Sequence, residues 1–407
     1  MVSMASRVRV TGELATFAEA FREELIGQGY SPLSAANQVR VMAHVSRWLA
    51  GRGLSVQEFT AERGQEFLAD RRGQGYTCWL SDKGIEPLFR FLRDRGVAPA
   101  VLASVPGSSP VEVLLAEYRR YLIVERGLAD STVRHRLDAA ELFLMDRCRS
   151  RADGDMALGE LTAAEVIGFV TGQCRDRSVG WCKNLVSDLR SLLRFLHVAG
   201  HLRTSLVSAV PAVAGWRGGS LPRAVAPAKV AGLLASCDRR RAIGRRDYAI
   251  LLLLARLGLR AGEVAGLELG DVDWRAGQIL IRGKGYRVER LPLPADVGEA
   301  VAGYLRRGRP RCNEDHVFLR ALAPRGPLTS VGISTIVGAA CDRAGIPRFG
   351  AHRLRHSAAT QMLAAGAPLA EVGQVLRHRS AATTAMYAKV DRTSLRPLAL
   401  PWPGGAI

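Results

Sequence analysis

His352-Arg353-Leu354-Arg355-His356 is the stretch on which the reading turns. It follows Pro347 and Gly350 and leads into an apolar-patterned segment, so it is predicted to open a helix. On that helix His352, Arg355 and His356 stand three and four apart and share a face. An imidazole beside a guanidinium suits a phosphate. Arginine offers a planar two-pronged donor to nonbridging oxygens, and histidine exchanges a proton near neutral pH. Considered alone, the same five residues also fit a solvated basic helix face.

The neighbouring segments add groups of the same kind. Leu376-Arg377-His378-Arg379-Ser380 closes a later helical stretch, and Tyr387 follows nine residues after His378, within reach of one shared site across a short turn and helix. A tyrosine phenol can attack a phosphodiester and hold the DNA end as a covalent ester that stores the bond energy. Upstream, Leu257-Gly258-Leu259-Arg260-Ala261-Gly262-Glu263 sets an arginine at a turn between helices, with Glu263 spaced to orient its guanidinium. Lys284 lies between Gly283 and Gly285 at the tip of a hairpin predicted from runs at 278–282 and 287–293. From there it could enter a DNA groove or protonate a leaving oxygen.

The whole chain is consistent with a polyanionic partner. Its 407 residues hold 57 Lys and Arg against 38 Asp and Glu, a formal charge of +19. The longest wholly apolar run, 249–255, is far short of the roughly 20 residues that span a bilayer, so no membrane is expected. Arg7 and Arg9 precede no apolar block of signal-peptide length, which predicts a cytoplasmic location. Seven scattered cysteines form no C-x-x-C pair and are expected to be reduced thiols; Cys174 and Cys182 with a histidine fit no common zinc spacing.

The fold expected is mainly α with a small antiparallel β-sheet. Gly29-Tyr30-Ser31 and Gly127-Leu128-Ala129 each precede a helical pattern, and Leu88-Phe89-Arg90-Phe91-Leu92 with Gly96 is echoed by Leu192-Leu193-Arg194-Phe195-Leu196 with Gly200. Two helical modules, 1–108 and 109–209, follow, the first a candidate duplicate of the second. A stretch at 210–227 containing Pro211, Pro222, Pro227, Gly215, Gly218 and Gly219 reads as a linker. Residues 228–393 form the next domain and 394–407 a tail. Within that domain helices are expected at 228–237, 247–257, 329–344, 352–365 and 369–376.

In this order and spacing the groups resemble the tyrosine recombinase family, the phage-type integrases, over residues 112–393. The family pattern of Arg, Lys, His-x-x-Arg, His and Tyr is met by Arg260 with Glu263, Lys284, His352 with Arg355, His378 and Tyr387. Three departures stand out: Arg353 where an acidic residue is frequent, Arg377 where glycine commonly precedes the histidine, and an extra helical module in front. The resemblance implies a helical core-binding domain, a catalytic domain, and cutting and rejoining of DNA by a site-specific recombinase. Tyr387 would attack the scissile phosphate and become joined to the 3′ end. Arg260 and Arg355 would clamp the nonbridging oxygens, Lys284 would protonate the departing 5′ oxygen, His352 would accept the phenolic proton and His378 would hydrogen-bond the phosphate. His356, like Glu263, is expected to support the site rather than take part in the chemistry. No metal or nucleotide cofactor is called for, since side chains supply the cations.

The partner implied is double-stranded DNA, held by a tetramer, with Arg134, Arg136, Lys183, Arg190 and Arg377 as candidate contacts. The tail, with Leu398, Leu400 and Trp402 among Pro397, Pro401 and Pro403, is expected to dock on its own or a neighbouring subunit. Integration, excision or transposition of a mobile element is the expected task. Relaxation of DNA in the manner of a type IB topoisomerase, and a DNA-binding protein without catalysis, are the alternatives.

Overall fold

The computed structural model describes residues 9–99, 109–150, 156–214, 224–283, 288–378 and 381–388. The chain divides into two compact units, Gly51–Gly219 and a second that joins Met1–Ala50 to Ser220–Ile407. The architecture is mainly helical with one small antiparallel sheet, as the sequence predicts.

In Gly51–Gly219 the helices start where side chains can replace missing backbone partners. Thr162 and Glu165 form a capping box before Ala163–Cys174, the Thr162 hydroxyl taking the Glu165 amide while the Glu165 carboxylate takes the Thr162 amide. Ser109 and Ser178 cap Pro110–Arg120 and Val179–Val198 in the simpler way. Tyr118, Leu122, Phe143, Leu144, Leu189 and Leu193 meet in one core. The buried Tyr118 hydroxyl donates to Ser191 at 2.9 Å.

The echo seen in the sequence has a local structural counterpart. Gly96 and Gly200 both take positive φ just after a helix, and the two amides beyond each return to a leucine: Val97 and Ala98 to Leu92, His201 and Leu202 to Leu196. The helices also come in matching order. Ala18–Gly27, Pro32–Gly51, Ala61–Gly73 and Asp82–Asp94 are followed by Pro110–Arg120, Asp130–Ser150, Ala163–Cys174 and Val179–Val198.

The second unit is organised around Ala242–Arg256, whose stretch from Ala249 to Ala255 is buried on every side, the state that a wholly apolar helix requires. Ala295–Arg307 and His352–Ala364 pack on it. Beside them β1 (Val272–Asp273), β2 (Gln278–Arg282) and β3 (Val288–Pro292) pair antiparallel in that order. Ile279 faces Leu291 across the β2–β3 pair, and Ile279, Ile281 and Leu291 point into the core, the period of two that marks a half-buried strand. The hairpin thus stands where the sequence predicts it, while β1, with only two residues, carries no period to read. Helix Ala242–Arg256 begins five residues before the expected 247, because exposed Ile243 with Gly244 and Arg245 gives its first turn no apolar period to read. The backbone amide of Arg325 donates to the carbonyl of Gln28 at 2.8 Å, one link between the two parts of this unit. No described helix is long and apolar enough to cross a membrane.

Candidate active site

Helix His352–Ala364 presents Arg355 at 1% exposure, where an ion must find hydrogen-bond acceptors or not be buried at all. Its guanidinium donates to the carbonyl oxygen of Gly258 at 2.6 Å and to that of Leu376. One side chain thereby ties together two turns that are far apart in sequence. Glycine is required at 258: φ is +58°, and a Cβ there would come within 2.6 Å of Leu376 Cδ2. Burial, then the charges of Arg260 and Arg377, lower Arg355 to about 10, so it remains a cation at neutral pH.

Glu263 joins two further arginines. Its carboxylate accepts from Arg260 Nη1 at 2.6 Å and from the Arg260 amide at 2.8 Å, which also caps the short helix Ala261–Ala265. It accepts from Arg377 Nη2 at 2.8 Å as well, and Arg260 Nη2 reaches the Arg377 carbonyl at 3.3 Å. Burial alone would raise the carboxyl, but the Arg260 amide and the Arg377 and Arg260 charges outweigh it and hold Glu263 below its ordinary value. Arg377 lies in the left-handed region, φ +55°, just past helix Leu369–Val375, the position a terminal glycine ordinarily fills. Its side chain is only 5% exposed and folded onto Glu263, so without DNA its guanidinium is engaged inside the protein.

The nucleophile candidate and the histidines complete the cluster. Tyr387, on helix Ala381–Ala388, is 1% exposed among Ala359, Leu363, Val372 and Leu376. Its hydroxyl lies 2.8 Å from His356 Nδ1, and its ring stacks on His378 at 5.9 Å between centroids and 3° between planes. His378 Nδ1 bonds Thr384 Oγ1 at 2.8 Å. The His352 ring stands edge-on to His356 at 4.4 Å. Burial first, then nearby cations, lower all three imidazoles, His356 and His378 to about 4. Burial also raises the Tyr387 phenol, against the pull of Arg355 and Arg260.

Seven residues singled out from the sequence, Arg260, Glu263, His352, Arg355, His356, His378 and Tyr387, therefore fall into one connected network, with Arg377 as an eighth. Lys284 and the tail 394–407 lie outside the described residues. What the sequence reading missed is the phenol's partner: the hydroxyl is bound by His356, whereas the resemblance assigned its proton to His352. The signal was available in the i, i+4 spacing, which sets both imidazoles on one face.

In Gly51–Gly219 a groove of about 470 Å³ is lined by Arg126, Arg136, Lys183, Arg190 and Arg194, gathering three of the expected DNA contacts. Arg136 donates to Ser191 at 3.0 Å and Arg190 to the Val210 carbonyl at 2.9 Å, while Lys183 is exposed. Arg134 is exposed on helix Asp130–Ser150 and lies outside that lining.

Residues 224–394 match the phage integrase family. Over 398 residues the chain is 42% identical to the putative integrase/recombinase y4rA of Sinorhizobium fredii, covering 97% of this chain and 96% of that one. The tyrosine recombinase XerC of Oceanobacillus iheyensis is 30% identical over 302 residues, 70% of this chain and 94% of the other. Among solved structures, XerH recombinase bound to a palindromic difH substrate aligns with a TM-score of 0.54 at 20% identity, over 73% of this chain and 98% of that one. A lambda integrase dimer bound to a COC′ core site aligns with a TM-score of 0.54 at 17% identity, over 80% and 89%. At those identities the likeness is one of fold, but the relatives found by sequence leave no doubt of kinship: this chain belongs to the phage integrase family of tyrosine recombinases, which cut and rejoin DNA.

Proposed function

We propose that the protein is a site-specific recombinase that joins DNA to Tyr387 as a 3′-phosphotyrosine and serves integration, excision or transposition of a mobile element. The observation that carries this reading is one phenol that bonds His356, stacks on His378 and feels the charges of Arg355 and Arg260, with His352 against His356. Arg260 and Arg355 offer fixed positive charge to the extra negative charge of a pentacoordinate phosphorus, and fixed charge needs no reorganisation at the moment of reaction. Lys284 would protonate the departing 5′ oxygen, and His378 would donate to the phosphate. Because the hydroxyl is buried, the residues that cover it would have to open for DNA to reach it. The residues supply every charge the transfer needs, so neither metal nor nucleotide enters the scheme.

The domain organisation we assign is a helical module at 1–108, duplicated as the core-binding domain at 109–209, a linker at 210–227, the catalytic domain at 228–393 and a tail at 394–407. The repeated turns at Gly96 and Gly200 support the duplication. Arg134, Arg136, Lys183 and Arg190 would grip the duplex, a tetramer would assemble on it, and the tail would pack on the next subunit. The site of action is then the cytoplasmic nucleoid. Nicked suicide duplexes cut from the DNA flanking the gene test the reading. A covalent adduct should form with the wild type and vanish in Tyr387→Phe, whereas an adduct that persists in the variant refutes the assignment of the nucleophile. Relaxation of a plasmid lacking the flanking DNA would move the activity to the topoisomerase class.

A further inference from the structure

The phenol of Tyr387 must place its proton somewhere. A hydroxyl at 1% exposure has almost no access to water and needs a protein partner. Among the described residues its one hydrogen bond is to Nδ1 of His356, at 2.8 Å. A neutral imidazole presents one open nitrogen, and a phenol below its own pKa is the donor, so the pair is set as Oη–H to Nδ1, with the other proton of His356 on Nε2. His352 is a turn away with its ring against His356 rather than against the phenol.

We propose that His356 is a catalytic residue of this recombinase, the group that takes the Tyr387 proton as the phenolic oxygen attacks DNA. The inference rests on Tyr387 being the nucleophile. In the step, the Oη–P bond forms and the P–O5′ bond breaks. The phenolic proton passes to His356 Nδ1, and the departing 5′ oxygen receives a proton from the general acid. The ester keeps the single negative charge of the original phosphodiester. Religation runs the same path backwards, with the His356 imidazolium returning its proton to the phenolic oxygen as Tyr387 leaves.

The groups facing His356 are His352, Arg353 and Arg355 on its own helix and Tyr387 on helix Ala381–Ala388. Without DNA, burial first and then the charges of His352, Arg355 and Arg353 favour the neutral, proton-accepting imidazole. A bound phosphate, being negative, would stabilise the imidazolium once formed, so the base strengthens as substrate arrives.

The test separates taking a proton from merely holding the hydroxyl. The Asn side chain can place a hydrogen-bonding atom near the position of Nδ1 but cannot accept a proton, so His356→Asn keeps the contact and removes the chemistry. With suicide duplexes from the flanking DNA, single-turnover cleavage by His356→Asn should be about 100-fold slower at neutral pH and should climb with pH as the phenol ionises unaided. Imidazole added to His356→Ala should restore part of the rate. Gel-shift binding to the same duplex checks that both variants are folded. If His356→Asn cleaves within about threefold of wild type with a parallel pH profile, the contact only positions the hydroxyl and the proposal falls. Tyr387→Phe runs beside it: an adduct in that variant sinks the nucleophile assignment, whereas a dead Tyr387→Phe with an unaffected His356→Asn sinks this inference alone.

Discussion

Glu263 and Arg377 form an ion pair of 2.8 Å whose side chains are 4% and 5% exposed. Breaking a buried pair leaves an uncompensated charge, although Glu263 would keep Arg260. The left-handed backbone at 377 adds a second term, since a residue with a Cβ costs roughly 1–2 kcal/mol there relative to glycine. Both Arg377→Ala and Arg377→Gly should lower stability in urea unfolding, with glycine the milder by about 1 kcal/mol. Equal losses would remove the backbone argument, and no loss in either would remove the ion pair.

Arg355 and Arg260 should separate under the same conservative change. Arg355 ties Gly258 to Leu376 from a fully buried position, whereas the Arg260 side chain is 38% exposed. Lysine cannot reproduce a two-pronged donor. Arg355→Lys is therefore expected to lose both cleavage and about 2 kcal/mol or more of stability, and Arg260→Lys mainly cleavage. Suicide-substrate yields set against urea midpoints check this. An Arg355→Lys protein as stable as wild type would contradict the tie.

Stability should fall with acid through the histidines. His356 and His378 are lowered to about 4 from an ordinary 6.5, burial being the first cause in each. Between these values the unfolded chain binds more protons than the folded one, so stability rises with pH across the window and drops as pH is lowered. Melting temperatures from about pH 7 down to about pH 4.5 should decline, and less steeply in His356→Asn, which lacks one of the lowered imidazoles. Carboxylates contribute to both proteins alike, so the difference between the curves is the readout. Parallel curves would show that His356 is not held neutral by the fold.

The basic groove at Arg126, Arg136, Lys183, Arg190 and Arg194 gives a prediction for DNA binding. Lys183 is exposed, whereas Arg136 is engaged with Ser191 and lies 3.8 Å from Asp188. Lys183→Gln should weaken binding to all duplexes alike and reduce the slope of log affinity against log salt by about 0.9. Arg136→Gln should lower thermal stability as well, because its hydrogen bond to Ser191 joins the one Ser191 accepts from buried Tyr118. An unchanged salt slope in Lys183→Gln would exclude that lysine from the interface.

The sequence by itself determined the elements and the chemical groups. Period, caps and glycines mark the helices of both units and the β2–β3 hairpin, because those signals act between residues a few positions apart. The spacing of His352, Arg355 and His356 likewise defines one helix face without any fold. Only the tertiary structure decided how distant turns meet. Arg377 reads as one more surface cation until its backbone and Glu263 enclose it, and His356 reads as packing until the helix of Tyr387 brings a hydroxyl to its ring. Pairings of that kind depend on the closure of long loops around a shared core, and local sequence carries no record of which partner arrives.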